Sequence, residues 1–231
     1  MLVLALDSTA LTASAACVQF GEDNVLTKYS LYTVKNELTH SENLMPMVDS
    51  VLSGMNANIG DIGLITVSAG PGSFTGVRIG VATVKGLAFP GDIPCVGVST
   101  LEAIAESLSG TGDTVCAVMD ARRGQLYNAL FRRGRRLCGD RAVSAEQLYS
   151  ELSRMRRVIV CGDGAGVFLK SCPDTSRLFR ASAAACEQNA LSVAEVGYRA
   201  FLAGKAVKCG ALAPVYLRDS QAERERKEKS K

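Results

Sequence analysis

The chain has 231 residues, 47% of them hydrophobic and 21% charged, with a formal charge of +3. That length supports one large domain or two lobes with cores of their own, and a charge so small decides nothing about nucleic acid by itself. No apolar run approaches the roughly 20 residues of a membrane span, and residues 1–7 lack the basic region and cleavage site of a secretion signal, so a cytoplasmic location is expected.

The first elements read as a meander. Residues 2–6 are a near-continuous apolar run ending in Asp7-Ser8-Thr9, the pattern of a buried central strand. Strands over 14–20 and 25–34 follow, joined by the turn Gly21-Glu22-Asp23-Asn24. Leu44, Met47, Val48, Val51 and Leu52 then recur at helical spacing up to Gly54, with Thr39 and Glu42 as an expected capping box.

A strand at 64–67 runs into Gly70-Pro71-Gly72-Ser73-Phe74-Thr75-Gly76 and a helical pattern from Val77, with Val81, Val84 and Ala88 on one stripe. Strand, glycine-rich turn and helix are the grammar of a phosphate site, which makes Asp7, Gly70, Gly72, Ser73 and Thr75 a candidate nucleotide or anion site. The spacing matches neither standard fingerprint. A P-loop needs Lys and Ser or Thr where Val77 and Arg78 stand, and a dinucleotide loop needs glycine at Thr75. A structural turn is the equal alternative. Gly76 and Gly80 stand one turn apart, where glycine costs about 1 kcal/mol against alanine, so close packing against the protein's own sheet or against a partner helix must compensate.

A strand at 93–98 and a helix capped by Ser99 precede Ser109-Gly110-Thr111-Gly112-Asp113, the expected boundary between lobes at 1–109 and 110–219. The plan then starts again. Residues 115–120 form an apolar strand ending in Asp120, strands are expected at 125–131 and 136–143, and Ser144 with Gln147 caps a helix. A buried strand at 158–160 leads into Cys161-Gly162-Asp163-Gly164-Ala165-Gly166, and a last helix over 191–203 is placed to pack back on the first lobe. Residues 220–231 are highly charged without apolar anchors and are expected to be disordered.

The chemistry-bearing residues are sparse. Cys17, Cys95, Cys116, Cys138, Cys161, Cys172, Cys186 and Cys209 form no C-x-x-C pair and read as reduced, mostly buried thiols. His40 is the only histidine, which removes every motif needing two and leaves no catalytic or metal residue to nominate. Asp7, Asp120 and Asp163 are read first as satisfying turn amides and second as magnesium ligands.

The runs Leu4-Ala5-Leu6-Asp7-Ser8-Thr9, His40-Ser41-Glu42-Asn43-Leu44-Met45-Pro46, Gly70 through Gly80, Asp120-Ala121-Arg122-Arg123-Gly124-Gln125-Leu126-Tyr127, Gly162-Asp163-Gly164-Ala165 and Pro214-Val215-Tyr216-Leu217-Arg218 resemble the bacterial TsaB family in order along nearly the whole chain. The resemblance implies a duplicated actin-like ATPase (ribonuclease H-like) α/β fold and a part in making threonylcarbamoyladenosine beside the tRNA anticodon. It implies that transfer is done by the paralogue TsaD, with a metal held by two histidines, and that an ATPase, TsaE, joins the assembly. ATP and metal then belong to the partner subunits, with no cofactor on this chain. Pairing through the first-lobe helices nominates His40, Leu44, Met47, Val48, Val51, Gly76, Gly80 and Val84, and a homodimer of the isolated chain stays open.

Ten arginines between Arg122 and Arg157 are concentrated in one quarter of the sequence. A solvated face or an acidic partner explains them better than tRNA phosphates, because Tyr127, Phe131 and Tyr149 are too few to interleave with the arginines for stacking. Two other functions compete with the activating subunit: a stand-alone actin-fold ATPase or phosphotransferase, and a peptidase, which would have to rest on His40 alone.

Overall fold

The computed structural model describes residues 1–35 and 40–218, with the side chain of His40 left out. Its elements in order are β1 (Leu2–Asp7), β2 (Thr12–Phe20), β3 (Leu26–Lys35), α1 (His40–Gly54), β4 (Leu64–Gly70), α2 (Phe74–Ala88), β5 (Cys95–Ser99), α3 (Thr100–Glu106), β6 (Thr114–Asp120), β7 (Gln125–Arg132), β8 (Arg135–Arg136), β9 (Arg141–Ser144), α4 (Ala145–Leu152), β10 (Val158–Cys161), α5 (Ala165–Ser171), β11 (Leu178–Arg180), α6 (Ala183–Cys186) and α7 (Ala190–Leu202).

Two mixed sheets carry the chain, in the orders β3-β2-β1-β4-β5 and β11-β10-β6-β7-β8, with β9 also on β7. In the first, β1 is antiparallel to β2 and parallel to β4. In the second, β6 is antiparallel to β7 and parallel to β10. The plan of the first half is thus repeated in the second, as the actin-like expectation requires. The strand expected at 136–143 is instead two short pieces on β7, interrupted where Gly139 lies between Cys138 and Asp140.

Alternation along β1 sends Leu4 and Leu6 to one face and Val3 and Ala5 to the other. On the first face, α1 buries Leu44, Met47, Val48 and Val51, and α2 buries Val77, Val81, Val84 and Ala88. The second face is closed by α7, whose Val193, Ala194 and Tyr198 meet Val3, Ala5 and Phe20, with the Phe20 and Tyr198 rings stacked at 3.9 Å between centroids. Gly197 lets α7 sit on Thr66, since a Cβ there would overlap the threonine side chain. Helix α3, from the first half, covers the second sheet with Leu101, Ile104 and Ala105 against Val115, Ala117 and Phe131. Each half therefore contributes a helix to the other's sheet, and Arg199 on α7 grips Glu106 on α3 with two hydrogen bonds of 2.9 and 2.6 Å. Among the described residues no helix is long and apolar enough to cross a membrane.

Candidate functional site: two glycine corners

Both Gly-rich corners lie where a parallel strand ends. In the first lobe, β1 delivers Asp7 fully buried, and its carboxylate accepts three hydrogen bonds from nearby residues. Oδ1 accepts from Thr9 N at 2.9 Å and Thr9 Oγ1 at 2.7 Å, and Oδ2 accepts from Ser68 Oγ at 2.6 Å. This is the turn-satisfying role expected of a strand-end aspartate.

The glycines beside it are filled by the chain's own backbone. Gly70 has φ +122°, and a Cβ on it would run into the Val215 carbonyl; Val215 N donates to Ala69 O at 2.7 Å. A Cβ on Gly72 would stand 2.6 Å from Thr9 O, the same carbonyl that accepts from Ser73 N at 2.7 Å. Ser73 then caps α2 by accepting from Gly76 N at 3.3 Å, which starts the helix at Phe74, three residues ahead of the expected Val77. Thr75 is exposed on the first turn. The corner thus brings together Asp7, Thr9, Ser68, Ser73 and Val215, and the close approach its glycines permit is made to residues 9 and 215.

The glycine pair on α2 behaves alike. A Cβ on Gly80 would lie 2.6 Å from Ser8 Oγ and 3.3 Å from Val67 Cγ2, while Ser8 Oγ donates to Gly76 O at 2.9 Å. Gly80 therefore packs against the protein's own β1–β2 turn and sheet. The nominated Leu44, Met47, Val48, Val51 and Val84 are likewise inside the first-lobe core at 3% exposure or less. They hold α1 and α2 to the sheet, so the accessible surface of these helices belongs to other residues: Met45, Asp49, Arg78 and Ala82 are exposed. His40 opens α1, and its side chain lies outside the described residues, as do Thr39 and the tail from 219.

The second corner is the counterpart of the first with its charge turned outward. Gly162 has φ +96° and abuts the Val118 carbonyl, and Gly164 N donates to Val118 O at 3.2 Å. Asp120 is exposed and accepts from Arg122 N at 2.7 Å. The Asp163 carboxyl opens to solvent between walls that strip much of its hydration, and this desolvation, with the Asp120 charge added, pushes its pKa up to about 6 against the pull of the Asp120 and Gly164 amides. Glu187, which also raises Asp163, bonds Lys35 Nζ at 2.7 Å and Thr12 Oγ1 at 2.6 Å and so ties the halves together. The cysteines are all unbridged, and burial pushes the Cys17 and Cys95 thiols up to about 11, the wrong direction for nucleophiles.

The segment 205–218, of which the sequence singles out only Pro214–Arg218 and gives that run no structural role, straps the first lobe. Val207 bridges Cys95, Leu212 is buried with α2 and β5, and Tyr216 stacks on Phe74 at 4.8 Å. Arg78 lies 3.9 Å over the Phe74 ring and donates Nε–H to Tyr216 Oη at 2.9 Å, so the position where a P-loop would have Ser or Thr is used to clasp this strap. A sparse apolar pattern without periodicity carries no signal for such a strap.

With this geometry in place, comparison with known proteins is informative. Residues 35–225 match the family described as TsaD: tRNA N6-adenosine threonylcarbamoyltransferase. The chain is 40% identical over 132 residues to the tRNA threonylcarbamoyladenosine biosynthesis protein TsaB of Bacillus subtilis, covering 57% of this chain and 56% of that one. It is 35% identical over 136 residues to the protein of that name from Escherichia coli, with 58% and 56% covered. These two alignments thus span about half the length of either relative, whereas the Haemophilus influenzae protein aligns at 26% identity over 94% of this chain and 93% of its own. YeaZ from Pseudomonas aeruginosa superimposes with a TM-score of 0.79 at 25% identity, over 94% of this chain and 99% of that one. The duplicated sheets, the two glycine corners and these matches agree, and the chain belongs to the TsaD family of tRNA N6-adenosine threonylcarbamoyltransferases, among its TsaB members.

Proposed function

We propose that this chain is the non-catalytic, activating subunit of the assembly that transfers a threonylcarbamoyl group to adenosine beside the tRNA anticodon. It pairs with TsaD, which carries out the transfer, and recruits TsaE; ATP and the metal belong to those partners. The observation that carries this reading is the first glycine corner. A loop with the outline of a phosphate cradle is closed from inside by Thr9 and Val215, and the neighbouring Asp7 carboxylate is used on Thr9 and Ser68. That arrangement suits a helix-positioning joint better than a site of phosphoryl chemistry. The partner surface is assigned to the outward faces of α1 and α2, which lie side by side and carry the exposed Met45 and, just past the end of α2, Phe89 at 78% exposure.

The test is co-expression with TsaD, size-exclusion chromatography of the product, and a threonylcarbamoyladenosine assay with and without this chain. Co-elution and loss of modification when the chain is omitted are expected. Full modification by TsaD and TsaE alone would sink the reading.

A further inference from the structure

The second sheet is polarised along its strands. Asp120 and Asp163 stand at the C-terminal ends of β6 and β10, and the opposite ends belong to arginine. Leu178 pairs with Val158, Val158 with Thr114, Thr114 with Arg132 and Arg132 with Arg135, one row across five strands. Arg177 and Arg157 precede the first two residues of that row and Arg133 follows Arg132, so residues distant in sequence are gathered along about 19 Å at the usual strand spacing. Arg132, Arg133, Arg135, Arg156, Arg157 and Arg177 are all exposed.

Compensation there is thin. Arg157 Nε meets Asp113 Oδ2 at 3.1 Å and Arg132 donates Nε–H to Gly112 O at 3.3 Å, but no ion pair among the described residues includes Arg133, Arg135 or Arg156. Arg132 and Arg135 are direct cross-strand neighbours, a like-charge pairing that disfavours the fold unless an anion lies across it. The aromatic residues within the arginine-rich stretch, Tyr127, Phe131 and Tyr149, are buried or half-buried, and the exposed ring beside these arginines is supplied by β11. Phe179 is 43% exposed, and the Arg157 guanidinium lies 4.5 Å over its ring.

We propose that this end of the second lobe binds the phosphate backbone of a folded RNA, with Arg157 and Phe179 as a stacking platform for an unpaired base. Guanidinium forks match phosphate oxygens, and an aromatic face capped by a cation accepts a base of any sequence. The choice of RNA over an acidic protein rests on the tRNA reading above.

The experiment is fluorescence anisotropy of a labelled tRNA transcript with the full chain at about 50 and about 200 mM salt, where backbone binding weakens steeply. Arg132→Glu/Arg133→Glu/Arg135→Glu is expected to weaken binding at least about tenfold and to flatten the salt slope by about 2 to 3, and Phe179→Ala to weaken it several-fold at about the same slope. Should the triple variant not fold, Arg133→Ala and Arg135→Ala singly are each expected to lower the slope by about 1. Unchanged tRNA affinity in folded variants, or equal affinity for polyglutamate of matched charge, would overturn the proposal. The variants are also run with TsaD: retained co-elution with lost RNA affinity supports the inference, whereas a wild-type chain that binds RNA and never co-elutes with TsaD counts against the proposed function alone.

Discussion

Asp7 and Asp120 end the first strand of each half, yet one is sealed and the other meets water. Asp7 is held by Thr9 and by Ser68, which the parallel pairing of β1 with β4 places beside it. At the second corner, charge accumulates instead, and Asp163 bears the consequence. Its carboxyl, ordinarily near 3.8, titrates at about 6, so across that window the native chain holds a proton that the unfolded chain has released. Stability therefore falls as pH rises through the window, and the penalty is complete above it. Asp163→Asn keeps the acceptor for the two amides and is expected to stabilise the chain at pH 7.5 by up to about 1 kcal/mol, a value discounted for the carboxyl's exposure, and to change little below pH 4. Urea midpoints at the two pH values decide it, and an equal shift at both would remove the titration argument. The strand-end aspartates are legible in sequence because an apolar run stops at each. Their different fates are not, since Ser68 stands 61 residues from Asp7 and only strand register joins them.

Helix α2 is seated on the β1–β2 turn through two glycines, and its fit there has a measurable sign. Gly80→Ala gains about 1 kcal/mol of helix propensity but drives a methyl into Ser8 Oγ, and overpacking of this kind costs about 1 to 3 kcal/mol. A net loss near 1 kcal/mol is expected. In a Ser8→Ala background the nearer obstacle is gone, leaving only the Val67 Cγ2 contact at 3.3 Å, and the same change should become close to neutral, so a double-mutant cycle in urea should show coupling of at least about 1 kcal/mol; additivity within about 0.4 kcal/mol would refute this seating. The long elements β1, β2, β4, α1, α2 and α7 are readable from the sequence because each buries a continuous stripe or run, whereas β3 is an edge strand with no fully buried residue. α5, β11 and α6 are not readable. They are seven, three and four residues long, and two of the three residues in β11 are exposed, leaving no period to read.

At the scale of the whole molecule, the halves exchange helices: α3 covers the second sheet and α7 closes the first. Residues 1–109 alone would leave Val3, Ala5, Val18, Phe20, Leu64 and Val98 in water on the face that α7 occupies. That fragment is expected to bind hydrophobic dyes and to show no cooperative thermal transition, whereas the full chain should melt cooperatively. A sharp transition in the fragment would show that α7 is dispensable to the first lobe. The repeated plan can be read from the two apolar strands ending in aspartate, and the return of the last helix to the first lobe is an expectation of the sequence, but the crossing of α3 onto the second sheet is a property of three-dimensional packing that no local pattern records.

The strap over the first glycine corner has a consequence for biogenesis. Val215 donates to Ala69 and its carbonyl lies against Gly70, so a joint begun with residues 9 and 70 is completed only by residue 215. Synthesis runs from the N-terminus, and α3 is already made when the second sheet emerges from the ribosome. The first sheet must wait for α7 and the strap, so the half that is translated first is the half that matures last.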